Sequence, residues 1–177
     1  MTAAEREFGT ALYELAAEEH CEDACLEGLE TAVKMFTEMP EYIKLVQNPA
    51  VPKNDRLAML DEAFGTGVHG YVLNFLKILC ERSMLGTAEG CLQEYKARLY
   101  EQRGILPVQA ISAVELDEAQ KRALCAKLAE KTGKTILLET SVDPSVLGGI
   151  RLRYSGTELD GTTVGRLASL RRVLTQA

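Results

Sequence analysis

The 177-residue chain has ordinary apolar (46%) and charged (26%) content, enough for one large domain or two small ones, and its net charge of −6 is unevenly placed. Residues 1–104 hold 10 Lys+Arg against 18 Asp+Glu, whereas residues 105–177 hold 10 against 8. The acidic front repels DNA and anionic lipid, and the absence of Trp with only 6% aromatics argues against a nucleic-acid stacking platform.

The N-terminal stretch AAEREFGTALYELAAEE is acidic and helix-periodic, unlike a signal or transit peptide. No apolar run approaches the ~20 residues of a membrane span. Phe8, Ala11, Leu12 and Leu15 predict a first helix over roughly residues 3–20. Leu26, Leu29, Val33 and Phe36 predict a second, ended by Pro40. A short third segment covers Tyr42 to Val46 and stops at Asn48-Pro49, and Asn54 is the expected cap of a fourth helix carrying Leu57, Leu60 and Phe64. YVLNFLKILCERSML is apolar on nearly all sides, as in a central helix or one that keeps an apolar strip for a partner. Ala88, Leu92, Tyr95 and Leu99 mark a sixth helix, ending near Arg103-Gly104.

The texture then changes. LPVQAISAV reads as a strand apolar on both faces. Asp117 and Gln120 have capping-box spacing for a helix running to Thr132, with Gly133 as its C-terminal cap. TILLETSV predicts a second strand with Ile136, Leu138, Thr140 and Val142 on one face. Asp143-Pro144 makes a turn, and Gly148-Gly149 opens a strand with Ile150, Leu152 and Tyr154 on one side and Arg151 and Arg153 on the other. Ser155-Gly156 turns the chain into a short return strand from Thr157 to Leu159. A final helix follows, with Val164, Leu167, Leu170 and Leu174 on one side and Arg166, Arg171 and Arg172 flanking them. The fold class expected is mainly α: an N-terminal six-helix bundle over residues 1–104 and a small α/β C-terminal domain over 105–177.

Chemistry-bearing motifs are weak. TGKT at Thr132 to Thr135 lacks the earlier glycine of a phosphate loop, because that position is Leu128, and it lies between helix and strand in the wrong order. Arg151 and Arg153 are either an anion site or, more commonly, the solvent face of an edge strand. Five cysteines, an odd number without framework spacing, fit free thiols in a reducing compartment. Cys21 and Cys25, with His20 beside them, put two soft ligands on one helical face, but no second pair completes a tetrahedral zinc site. The two histidines and the dispersed carboxylates form no recognisable catalytic set. No catalytic residue, metal or cofactor is expected.

With these residues in view, the chain resembles the delta-subunit family of F-type ATP synthases, whose mitochondrial counterpart is the oligomycin-sensitivity-conferring protein. FGTALYELA is similar to the family's opening Tyr-Ala-x-Ala-Leu helix, Asn48-Pro-Ala-Val to its Asn-Pro-x-Val turn, and LNFLKILCERSML to its fifth helix. VDPSVLGGIRLRYSGTELDGTTVGRLASLRRVL is close to its closing signature and is the specific part of the match. Phe8, Gly9 and Thr10 depart from the usual Tyr, Ala and Lys, and Thr162 replaces a Ser while keeping the hydroxyl.

The resemblance implies a non-catalytic stator subunit, joining the catalytic head to the peripheral stalk so that rotor torque drives ATP synthesis. It places the protein peripherally on the cytoplasmic side of a bacterial cell membrane. It implies a groove for the N-terminal helix of an alpha subunit, carried over onto Phe8, Ala11, Leu12, Leu15, Leu76, Leu79 and Cys80. Leu76→Glu is then expected to weaken binding of that helix. The peripheral-stalk b subunits are expected to dock on Val164, Arg166, Leu167, Leu170, Arg171 and Leu174 of the final helix. The alternative is a cytosolic helix-binding adaptor unrelated to ATP synthase.

Overall fold

The computed structural model describes residues 2–146, 149–154 and 157–160. They are mostly helical, with one small four-stranded sheet. The chain divides into two compact units, Met1–Leu99 and Tyr100–Ala177.

The first unit contains α1 (Ala3–Glu18), α2 (Glu22–Glu38), α3 (Pro40–Val46), α4 (Lys53–Phe64), α5 (Gly70–Glu81), a 3-10 turn (Leu85–Thr87) and α6 (Ala88–Gln102), which runs across the boundary between the units. Thr2 and Glu5 close a reciprocal capping box at the start of α1. Helix α1 stops two residues earlier than its periodicity suggests. His20 takes a left-handed φ of 53°, the Cys21 N–H donates to the Ala16 carbonyl (2.9 Å), and the His20 N–H donates to that of Ala17 (3.3 Å). That pair of bonds is a Schellman motif without its usual glycine. The same device ends α5: Ser83 has φ 56°, Met84 N–H donates to Leu79 O and Ser83 N–H to Cys80 O.

Pro40 opens α3 at its first turn, where a missing N–H costs nothing, while α2 has already ended at Glu38. Asn54 does not cap α4. Pro52 precedes the helix and Asn54 lies inside it. It is Asn48 that works locally, its side-chain oxygen accepting the Ala50 N–H at 2.9 Å in an Asx turn.

One apolar core fills the first unit, with Leu29, Leu60, Leu76, Leu79 and Tyr95 wholly buried. Tyr95 stacks edge-on to Tyr13 at 5.5 Å between ring centres, and its hydroxyl donates to the Glu22 carbonyl at 2.9 Å. Its polar tip is therefore satisfied at the start of α2. Phe36 meets Phe64 edge-on at 5.6 Å.

Gly9 is a point of close approach between α1 and α6. A Cβ there would lie 2.6 Å from the Cys91 carbonyl oxygen and 2.8 Å from the Glu94 Cβ. Gly9→Ala gains about 1 kcal/mol of helix propensity but overpacks this contact at a cost of about 1–3 kcal/mol. A net loss of stability is expected, and a larger one for Gly9→Val. Urea titration followed by circular dichroism checks it, and a more stable Gly9→Ala would contradict the close approach.

The second unit has β1 (Ile105–Ser112), α7 (Glu118–Thr132), β2 (Thr135–Val142), β3 (Ile150–Tyr154) and β4 (Thr157–Asp160) in the order β2-β1-β3-β4. β1 and β2 are parallel, with α7 as their crossover, and β3 and β4 add antiparallel. Asp117 and Gln120 form the expected capping box, and Gly133, at φ 67°, the expected left-handed cap. The TGKT segment is thus a helix end and a strand start.

β1 alternates at first, with Leu106 and Val108 buried and Pro107 and Gln109 exposed. Both faces are covered only from Ala110 to Ser112. On β2, Ile136 and Leu138 are half-buried, but Thr140 and Val142 are exposed, so the predicted apolar face ends midway. β3 is an inner strand rather than an edge. Its Arg151 and Arg153 share the Glu158 carboxylate of β4, with Nε–O distances of 3.2 and 2.9 Å.

Candidate functional site

Helices α1 and α5 meet along a seam. Phe8 packs edge-on against Phe75 at 6.4 Å, and the Arg82 guanidinium lies 5.6 Å from the centre of the Phe8 ring. Phe8, Ala11 and Leu15 follow one another at helical spacing on α1, as Phe75 and Ile78 of α5 and its C-terminal cap residue Arg82 do. Phe8 is half-buried, Ala11 is exposed, Leu15 is 38% exposed and Ile78 is 46% exposed. The seam therefore carries an accessible apolar strip.

Four of the seven predicted groove residues do not belong to that strip. Leu12, Leu76, Leu79 and Cys80 are buried in the core, and the Cys80 thiol donates to the Val46 carbonyl at 3.8 Å. A partner helix cannot touch them without unpacking the unit. They support the seam from beneath, while Ile78 takes the exposed place. Among the apolar residues of α5, Ile78 is the one turned outward, flanked by exposed Asn74 and Glu81 on the same side. The predicted docking residues of the final helix, Val164, Arg166, Leu167, Leu170, Arg171 and Leu174, lie outside the described residues.

The second unit has a cavity of about 450 Å³ lined by Val114, Leu116, Leu124 and Ile150, with Lys127 as the one charged residue among its described lining. No carboxylate is among its described lining. No described helix is long and apolar enough to cross a membrane.

The cysteine pair of the first unit has an unforeseen neighbour. His20, adjacent in sequence, sits in the left-handed turn and is exposed. His69 arrives instead, from the residue just before α5, with its Nδ1 at 3.7 Å from the Cys25 Sγ. The Cys21 and Cys25 sulfurs are 3.6 Å apart, and the three ligand atoms lie within 4.8 Å of one another. Burial, followed by the hydrogen bond from Cys21, pushes the Cys25 thiol up to about 12.

Among known proteins, the family model described as ATP synthase delta (OSCP) subunit matches residues 4–174. The proteins named ATP synthase subunit delta from Geobacillus sp. (strain WCH70) and from Clostridioides difficile (strain 630) are 31% and 29% identical over 170 residues each. Both alignments span 96% of this chain, and respectively 95% and 94% of the relative. The fold is shared with a chain of the Toxoplasma gondii mitochondrial ATP synthase hexamer, at a TM-score of 0.78 and 19% identity, over 99% of this chain and 98% of that one. The chain belongs to the ATP synthase delta (OSCP) subunit family, whose members are structural rather than catalytic subunits of the ATP synthase.

Proposed function

We propose that this subunit is the stator element that joins the catalytic head of a proton-translocating ATP synthase to its peripheral stalk. The observation that carries this reading is the family match over residues 4–174, nearly the whole chain. A rotor turning inside the head drags the head with it unless a static arm resists. The protein at that junction needs firm contacts at two ends and no reaction of its own. It would work peripherally, on the cytoplasmic side of a bacterial membrane, held there by its partners.

The head end is assigned to a helical bundle over residues 1–104, and the stalk end to the small α/β domain over 105–177. At the head end, the strip of Phe8, Ala11, Leu15 and Ile78 receives the apolar face of the alpha subunit's N-terminal helix, in the manner of an amphipathic helix laid along a groove. Glu7, Glu14 and Glu18 are exposed on α1, which favours basic flanks on that helix. At the stalk end, the reading rests on the sequence of the last helix. Val164, Leu167, Leu170 and Leu174 supply its apolar stripe, and Arg166 and Arg171 its charge toward the b subunits.

Calorimetric titration of the full chain with a synthetic peptide of the alpha N-terminal helix tests the head end. Saturable one-to-one binding is expected. A chain that ignores this peptide, yet binds the end of the peripheral-stalk b subunits, would strip the seam of its role and leave the stalk contact standing.

A further inference from the structure

The first unit gathers a metal-ligand set that its proposed mechanical role does not use. Cys21 immediately precedes α2, Cys25 lies one turn inside it, and His69 immediately precedes α5. The approach is built into the packing. Gly28 lies one turn further along α2, where a Cβ would stand 3.2 Å from the Val68 Cβ and 3.4 Å from the His69 backbone nitrogen. A glycine at that point lets the start of α5 come close enough for His69 to face the two thiols.

The distances fit a tetrahedral ion. Zn–S bonds of about 2.3 Å and Zn–N bonds of about 2.0–2.1 Å place two sulfurs about 3.8 Å apart and a sulfur about 3.6 Å from a nitrogen. The Cys21–Cys25 sulfur separation is 3.6 Å and the Cys25–His69 separation is 3.7 Å. The third edge is within 4.8 Å. No capping bond to α2 opposes the side-chain rotation of Cys21 that would shorten it.

We propose that Cys21, Cys25 and His69 form a binding site for a zinc(II)-class cation, a clasp between the corner of α1 and α2 and the start of α5. Two thiolates and one divalent cation sum to zero charge, which suits a site where Cys25 is wholly buried and Cys21 and His69 are half-buried. The thiolate of Cys21 also sits at the positive end of α2. The neutral imidazole ligates through Nδ1, giving up a long 3.4 Å capping bond from the Tyr71 N–H. Binding releases the two thiol protons to solvent, and the fourth position is left to water or an incoming donor. The half-exposed Cys21 and His69 give the ion its entry.

The test uses the reduced, chelator-stripped full-length protein. It is titrated with zinc(II) against a chromophoric chelator, and then anaerobically with cobalt(II). One equivalent is expected to bind, with sulfur-to-cobalt charge-transfer absorption and a rise in Tm on adding zinc. Cys21→Ser and His69→Asn should each weaken zinc binding by about a hundredfold or more and remove the rise in Tm. Asn retains a capping side chain for α5, and circular dichroism of each metal-free variant confirms that the fold survives. Cys125→Ser, whose cysteine lies on α7, should bind like the parent. No binding tighter than micromolar, no sulfur-to-cobalt band, or equal affinity in Cys21→Ser and His69→Asn would each overturn the site.

Discussion

Leu76→Glu is expected to unfold the first unit, whereas Ile78→Glu, two residues on, is expected to leave it folded. Leu76 is wholly buried and Ile78 is 46% exposed. Removing a buried leucine side chain alone costs about 3–5 kcal/mol. The glutamate then adds the burial of a carboxyl group among apolar neighbours that offer it no partner. Against a total stability of about 5–15 kcal/mol for a typical domain, that sum takes most or all of it. Ile78 keeps only half its surface from water, so its replacement costs about 1 kcal/mol. Thermal melts followed by circular dichroism separate the two. A cooperative melt for Leu76→Glu within a few degrees of the parent would refute the assignment of Leu76 to the core. The consequence for function is direct: loss of partner binding in Leu76→Glu would report unfolding and say nothing about a groove.

The same pair of residues explains what can and cannot be seen in the sequence. Local rules work where the bonds are local. The Asp117–Gln120 box and the Gly133 cap span a few residues, and both are present. The stops at His20 and Ser83 are hard to read, because a left-handed φ is uncommon for any residue but glycine, and even histidine, which tolerates it better than most, adopts it only rarely. Tertiary packing imposes those turns, so periodicity alone extends the first helix by two residues. Pro40 reads as a terminator because proline cannot continue a helix. The same missing N–H suits it to begin one, and only the position of Met39 between the two helices decides. Asn54 has the chemistry of a cap, but Pro52 sets the start of α4 ahead of it.

The candidate sites follow the same division. Along α5, Asn74 and Glu81 mark the outward side, one turn to either side of Ile78. The expected groove positions Leu12, Leu76, Leu79 and Cys80 rest on the family resemblance rather than on that phase, and these four belong to the core. The cysteine pair is legible as two ligands on one helix. Its third member is not, because His69 lies 44 residues beyond Cys25 and nothing local marks it. His20, the neighbour in sequence, is held away by the left-handed turn that ends α1.

If the seam receives the alpha subunit's helix, Leu15→Glu combined with Ile78→Glu should weaken binding of the alpha N-terminal peptide by about a hundredfold or more. Each apolar side chain sealed under a partner contributes about 1.5–3 kcal/mol, and tenfold in affinity corresponds to about 1.4 kcal/mol. Two such residues exceed the hundredfold mark even if each is only half covered in the free protein, because a buried carboxylate adds its own desolvation cost. The expected loss is in dissociation rate, since the mutated groups are apolar contacts rather than charges that steer encounter. A charge effect is separable. Leu15→Gln with Ile78→Gln removes the apolar strip without adding to the exposed acids of α1, and it should retain most of the loss. Calorimetry on variants with parental melting curves provides the measurement. Parental affinity in the double glutamate variant would move the alpha contact off this seam, even though the family membership, which rests on residues 4–174 as a whole, would be untouched.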